Sequence, residues 1–159
     1  MKQASRPIPE GYHSITPYLV CKGAADAIAF YQQAFGAVEL ERMPSPDGRL
    51  LHATVRIGDS LLMLCDEFPE HCSGEQLPMQ GSAVSLHLYV PDADTVWERA
   101  LAAGARPLMP LGDAFWGDRY GQLADPFGHR WSIATHLRDM TPQEVQEQMA
   151  REMPGSAKG

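Results

Sequence analysis

Apolar positions along this chain change their period repeatedly, and each change marks an element. Residues 14–21, SITPYLVC, are β-rich and interrupted only by Pro17, which suits an edge or bulge position. Ala24, Ile28, Tyr31 and Phe35 then recur at spacings of three and four, predicting an amphipathic helix that Gly36 is placed to end. Val38–Met43 reads as a strand, Pro46-Asp47-Gly48 as a turn, and Leu50–Ile57 alternates like a strand. Gly58-Asp59 can make a tight hairpin into Ser60–Cys65. Residues 66–82 carry Pro69, Pro78 and two glycines without any period, so they read as a linker, and Glu70-His71-Cys72 within them as a polar loop.

After the linker the pattern starts again. Val84–Val90 is a strand, Asp92–Ala103 a helix stopped by Gly104, and short β segments run to Leu111. Arg119–Ala124, the Asp125–Gly128 turn and His129–Thr135 complete the second set. At an offset of 68, residues 24–40 and 92–108 share six of seventeen identities, including Asp26/Asp94 and Gly36/Gly104. The repeated order of strand, helix and three strands makes an internal duplication the better explanation. In the tail, Thr141-Pro142-Gln143-Glu144 has the form of a capping box with proline at the first helical position, opening a helix through Met153.

The expected organisation is therefore an N-terminal arm (1–13), one domain (14–138) and a C-terminal helix and tail (139–159). The domain divides into module one (14–65), the linker (66–82) and module two (83–138). The chain's 159 residues suit a single domain, and 44% hydrophobic residues are enough for its core. A net charge of −7 and the lack of any basic run argue against nucleic acid or an anionic membrane as partner. The N-terminal stretch lacks an apolar h-region, and no apolar run approaches a membrane span. Cys21, Cys65 and Cys72 are an odd set without CxxC spacing, as expected for reduced thiols in the cytoplasm.

Three stretches carry a resemblance: TPYLVCKGAADAIAFYQQAFGA, VPDADTVWERALAAGA and FWGDRYGQLADPFGHRWSIATH. Together they resemble the vicinal oxygen chelate superfamily of glyoxalase, bleomycin-resistance and extradiol-dioxygenase relatives, and within it the PhnB-like branch. The resemblance implies an α+β fold of two βαβββ modules forming a cupped mixed sheet, plus the C-terminal helix. It also implies a ligand cavity, which many members build across a homodimer. Metal-dependent members hold a divalent cation with one His or Glu on the first and last strand of each module. Matched residue by residue, those positions are Thr16, Met63, Ser85 (or Val84 if the register slips by one) and Ser132. Hydroxyls are poor ligands for a lone divalent ion and a thioether suits soft Cu(I), so no metal and no other cofactor is expected.

Alternation on the strands supplies the remaining candidates. Val84, Leu86, Leu88 and Val90 should face the helix, leaving Ser85, His87 and Tyr89 for the cup. His52, Thr54 and Arg56 share one face, as do Arg130, Ser132, Ala134 and His136. In Trp116–Trp131, Asp125–His129 reads as the turn that places the last strand and Trp131 as core. Phe115, Trp116 and Tyr120 supply rings, and either Asp118 or Arg119 orients a polar ligand or the two pair locally to fix the hairpin. The expected ligand-binding set is Tyr18, His52, Ser85, His87, Tyr89, Phe115, Trp116, Arg119 and Tyr120. The first functional reading is a metal-free, homodimeric protein that binds or sequesters a small molecule. The second is an enzyme of lyase, isomerase or dioxygenase type using His52 or His87 as general base or a non-standard metal site. A third makes the C-terminal helix a docking element for another protein.

Overall fold

The computed structural model describes residues 7–71 and 84–152. The chain divides into two compact units, the first ending at Pro78 and the second beginning at Met79. Both follow the βαβββ order. Unit one contains β1 (Tyr18–Cys21), α1 (Ala24–Phe35), β2 (Val38–Pro44), β3 (Leu50–Ile57) and β4 (Ser60–Asp66). Unit two contains β5 (Ser85–Tyr89), α2 (Ala93–Ala102), β6 (Arg106–Asp113), β7 (Asp118–Ala124), β8 (Arg130–His136) and α3 (Pro142–Glu152). The sheets repeat the same strand order, β1-β4-β3-β2 and β5-β8-β7-β6, and the first strand of each is parallel to its neighbour.

In unit one the three-and-four spacing of α1 buries Ala24, Ala27, Ile28, Tyr31 and Ala34. On the sheet of the same unit Ala53, Val55, Leu62 and Leu64 are buried, each 5% exposed or less. Full burial of Ile28 and Tyr31 stabilises the unit by roughly 1.5–3 kcal/mol per large side chain. Gly36 adopts the left-handed conformation at φ 67° and its N–H donates to the Gln32 carbonyl, ending the helix as its position predicts. The helix start differs from the usual arrangement, because Gly23 at the cap position has no side chain. Asp66, 7% exposed at the end of β4, supplies the cap from a distance. Its Oδ1 accepts from the Gly23 and Ala24 N–H groups and its Oδ2 from that of Leu50. One carboxylate thus ties α1, β3 and β4 together.

Two expected boundaries shift. The first strand spans Tyr18–Cys21 rather than starting at Ser14. The Pro17 carbonyl still accepts from the Met63 N–H, but proline has no N–H to continue the ladder, and Ile15 is 87% exposed. Thr16 therefore precedes the strand. Val84 likewise lies before β5 and is 64% exposed instead of facing the helix.

The start of the linker is anchored from the β2–β3 turn. Arg49 bonds Asp47, Glu70 and the Glu67 carbonyl, and its guanidinium lies 4.2 Å from the centre of the Phe68 ring. The rest of the linker, with Cys72, falls outside the described residues.

Unit two caps its helix conventionally. Asp92 accepts from the Thr95 N–H, while Thr135 accepts from the Ala93 N–H and donates to the Val90 carbonyl. Gly121 is needed for packing: a Cβ there would come within 2.8 Å of the Trp97 ring and 2.9 Å of the Leu111 Cα. Asp125 organises the turn before β8, accepting from the Phe127 and His129 N–H groups and from the Trp131 indole. The tail helix carries its capping box as predicted, with Thr141 N–H donating to Glu144 and Glu144 N–H to Thr141 Oγ1. Among the described residues, no helix is long and apolar enough to cross a membrane.

Candidate functional site

The face of each sheet turned away from its helix carries the polar and aromatic side chains. Register fixes which of them meet. In unit two, His87 lies opposite Ser132, which lies opposite Gln122; the next rung is Tyr89, Ala134 and Tyr120. One rung further, His136 faces Asp118. Neighbouring strands are about 4.8 Å apart, so these residues form one compact patch. Ala134 at its centre is fully buried, and its methyl leaves space for the flanking rings to approach each other.

The rings and one carboxylate close a circuit. Trp116 and Tyr120 pack edge to face with centres 5.0 Å apart. Tyr120 stacks on His87 at 5.9 Å, and His87 meets Tyr89 edge to face at 4.6 Å. The two ends of that series return to one atom. Trp116 Nε1–H donates to Asp118 Oδ2 at 3.1 Å and the Tyr89 hydroxyl to the same oxygen at 3.2 Å. Phe115 supports Trp116 from the side, edge to face at 5.0 Å. Asp118 is 3% exposed. Burial first, and the Asp118 charge second, push the Tyr89 hydroxyl above its ordinary value, so it stays a donor.

The other Asp118 oxygen holds His136, whose Nδ1 lies 2.7 Å away, while Nε2 lies 2.8 Å from Asp139. Both acceptors are carboxylates, so both ring nitrogens must donate, which requires the imidazolium. The bond to Asp139 first and that to Asp118 second raise the His136 pKa accordingly. His87 Nδ1 is 2.6 Å from Ser132 Oγ, and Gln122 donates to the Tyr120 oxygen at 2.6 Å. Among the described residues, the Tyr120 hydroxyl proton and His87 Nε2 have no protein partner.

Unit one builds a polar string on its equivalent face. Tyr18 OH lies 2.9 Å from His52 Nδ1, and His52 Nε2 lies 3.1 Å from Thr54 Oγ1. Thr54 donates to Glu41 at 2.9 Å. Since the threonine proton goes to Glu41, Thr54 must accept from His52 Nε2–H, leaving Nδ1 to accept from Tyr18. Burial, then the Cys65 thiol, pushes the Tyr18 hydroxyl above its ordinary value. The two units match position by position: Tyr18 and Thr54 flank Met63, as His87 and Gln122 flank Ser132. A tyrosine and a histidine therefore sit together in both units with their strands exchanged, Tyr18–His52 against His87–Tyr120.

The four positions that the resemblance matches to metal ligands offer no donor set suited to a metal. Thr16 lies before its strand, Met63 offers only a thioether, and the Ser132 hydroxyl is engaged by His87. Ser85 offers only a hydroxyl at the exposed start of β5. Among the described residues, no group of three or more His, Cys, Asp or Glu side chains is placed to hold a metal ion.

Of the expected ligand-facing residues, His87, Tyr89, Phe115, Trp116 and Tyr120 come together in unit two, and Tyr18 and His52 in unit one. Ser85 lies at the patch margin opposite Arg130. Arg119 does not pair with Asp118. Adjacent strand residues point to opposite faces, and its guanidinium is held by Asp94 of α2 and Asp113 of β6, at 2.8 and 3.0 Å. Asp118, expected only as an orienting group, joins the patch together with Gln122 and His136, and none of the three belongs to the expected ligand-binding set. The same alternation that selects Tyr120 and Ser132 also selects them, so the sequence carries the signal for all three.

The sequence from residue 11 to 133 matches the Glyoxalase/Bleomycin resistance protein/Dioxygenase superfamily. The chain belongs to this superfamily. An uncharacterised Mycobacterium bovis protein is 45% identical over 145 residues, covering 89% of this chain and 95% of its own. The solved structure of an Arabidopsis thaliana gene product superposes with a TM-score of 0.62 at 27% identity, covering 77% of this chain and 98% of that one. A Bacillus cereus PhnB protein, described as a putative 3-demethylubiquinone-9 3-methyltransferase, has a TM-score of 0.63 at 24% identity, covering 77% and 99%, and shares the fold.

Proposed function

We infer that this superfamily member binds and sequesters a small molecule on the ring-lined face of unit two, without a resident metal, and works as a cytoplasmic homodimer. The observation that carries this reading is the closed circuit of Asp118, Trp116, Tyr120, His87 and Tyr89. Packing alone does not require a buried carboxylate to gather two ring donors at one oxygen. Rings with a few oriented polar groups are the usual composition of a ligand site. Among the described residues, the Tyr120 hydroxyl proton and His87 Nε2 are the polar groups of the circuit left for a ligand. The thermal shift of the purified chain against a small-molecule library, with metal analysis alongside, tests the reading. A ligand at 100 times its Kd should stabilise by about 2.7 kcal/mol, raising Tm by roughly 5–10 °C. Stoichiometric, tightly bound zinc, nickel, manganese or iron would overturn the metal-free part. Light scattering at twice 17.5 kDa tests the dimer.

A second reading, proton transfer at His87, is favoured by one contact. Ser132 fixes the ring through Nδ1, and among the described residues Nε2 has no protein partner. Loss of a turnover in His87→Ala, with binding retained, would select it over sequestration.

A further inference from the structure

We propose that the ring face of unit two selects an organic cation, a protonated or quaternary amine, and that Asp118 acts as the charge behind the rings instead of as a direct ion-pair partner. The proposal rests on the small-molecule reading of this face and names its ligand class. Asp118 is 3% exposed and its oxygens are taken by Tyr89, Trp116 and His136, so a ligand does not reach the carboxylate itself. What a ligand meets is the set of rings. Trp116 and Tyr89 each donate their single polar hydrogen to Asp118 Oδ2. Donation to an anion shifts electron density onto a ring, making its π face more negative than that of a ring donating to water. A cation held within about 6 Å of such faces is attracted by their quadrupoles, most strongly by tryptophan.

The surrounding charge has the same sign. His136, as an imidazolium, is shared between Asp118 and Asp139, and the three groups together carry one net negative charge. Arg138, just past His136, shares its pocket with Asp139, Glu144 and Glu147 and so leaves that side acidic. Neither Arg119 on β7 nor Arg130 on β8 stands on the patch face at the Asp118 end. Arg119 points to the other face of β7 and is engaged by Asp94 and Asp113. Arg130 shares the patch face of β8 but stands at its margin opposite Ser85, about 13 Å along the strand from Ala134 at the patch centre and about 20 Å from His136. An anionic ligand would be repelled at the Trp116–Tyr89 end, where the Asp118 charge lies. A neutral aromatic would gain ring contacts but nothing from the charge. The excess of acidic residues, a net −7 over the chain, also favours approach of a cation.

Choline and its uncharged isostere 3,3-dimethylbutan-1-ol separate charge from shape. Titrations of the full chain, followed through the Trp116 indole Nε1–H by NMR, should give choline at least about tenfold tighter binding than the alcohol. Asp118→Asn should weaken choline severalfold more than the alcohol, removing most of that preference. If that variant does not fold, Tyr89→Phe keeps the ring, loses its bond to Asp118, and should reduce the preference severalfold. Equal affinities, or tighter binding of the alcohol, would overturn the cation proposal. If phenol or other neutral aromatics shift Trp116 while choline does not, the cation proposal fails and the small-molecule reading stands. If neither class shifts Trp116, both fail.

Discussion

Replacing Asp118 tests whether one carboxylate organises the patch. It accepts three hydrogen bonds, but they do not count equally. Tyr89 is 60% exposed, so its hydroxyl recovers a bond to water when Asp118 is removed. The His136 side chain is 52% exposed and also re-solvates. The half-buried Trp116 indole loses its acceptor with the least recovery. A hydrogen bond to a charged group contributes about 1.5–3 kcal/mol, so Asp118→Ala should destabilise by about that amount and lower Tm by roughly 4–10 °C. Asp118→Asn should cost less, about 1 kcal/mol, because one amide oxygen can still accept from Trp116 and Tyr89. Urea denaturation of both variants, with a double-mutant cycle to Trp116→Phe, measures the coupling. A loss within about 0.5 kcal/mol for Asp118→Ala, the range of an ordinary surface change, would refute the claim that it organises the patch.

Two further predictions concern the same neighbourhood. Gly117 sits at φ 101°, and a Cβ there would lie 2.5 Å from the Arg138 carbonyl oxygen. Gly117→Ala should therefore destabilise by roughly 2–4 kcal/mol in chemical denaturation. A neutral effect would mean the 115–118 turn is not held against the chain after β8. For His136, a raised folded pKa means its contribution is fully present below the ordinary histidine value of 6.5 and is lost as pH rises through the raised value. Its NMR titration midpoint should lie above 6.5 and fall in Asp139→Asn; a midpoint at or below 6.5 would contradict the imidazolium assignment.

Most of the fold is legible in the sequence because it follows from local physics. The 3.6 period of Ala24, Ile28 and Tyr31, the two-residue period of Leu50–Ile57 and the Gly36 stop all depend on near neighbours along the chain. The Thr141 capping box does too, and it forms as expected. What is not legible involves partners distant in sequence. Asp66 caps a helix more than forty residues earlier, and nothing local to Gly23 announces it. Asp118 and Arg119 look like an ion pair as sequence neighbours, yet the strand sends them to opposite faces, where Asp94, Asp113 and His136 take them. The aromatic members of the unit-two patch are readable from alternation and from the Trp116–Tyr120 stretch. The circuit they form is not, because it depends on the parallel pairing of β5 with β8, which only the folded sheet sets.

The most direct test of the central claim labels the indole nitrogens of Trp97, Trp116 and Trp131 and records their NMR signals against a library of small molecules. Half-buried Trp97 packs over Gly121 and reports on the helix side of the sheet, Trp131 at 3% exposed reports on the core, and Trp116 reports on the patch. Molecules that bind should shift the Trp116 signal selectively and lose that effect in Tyr120→Ala. Binders that move only Trp97 or Trp131, or that bind Tyr120→Ala as well as the wild-type chain, would contradict a ligand site on this face.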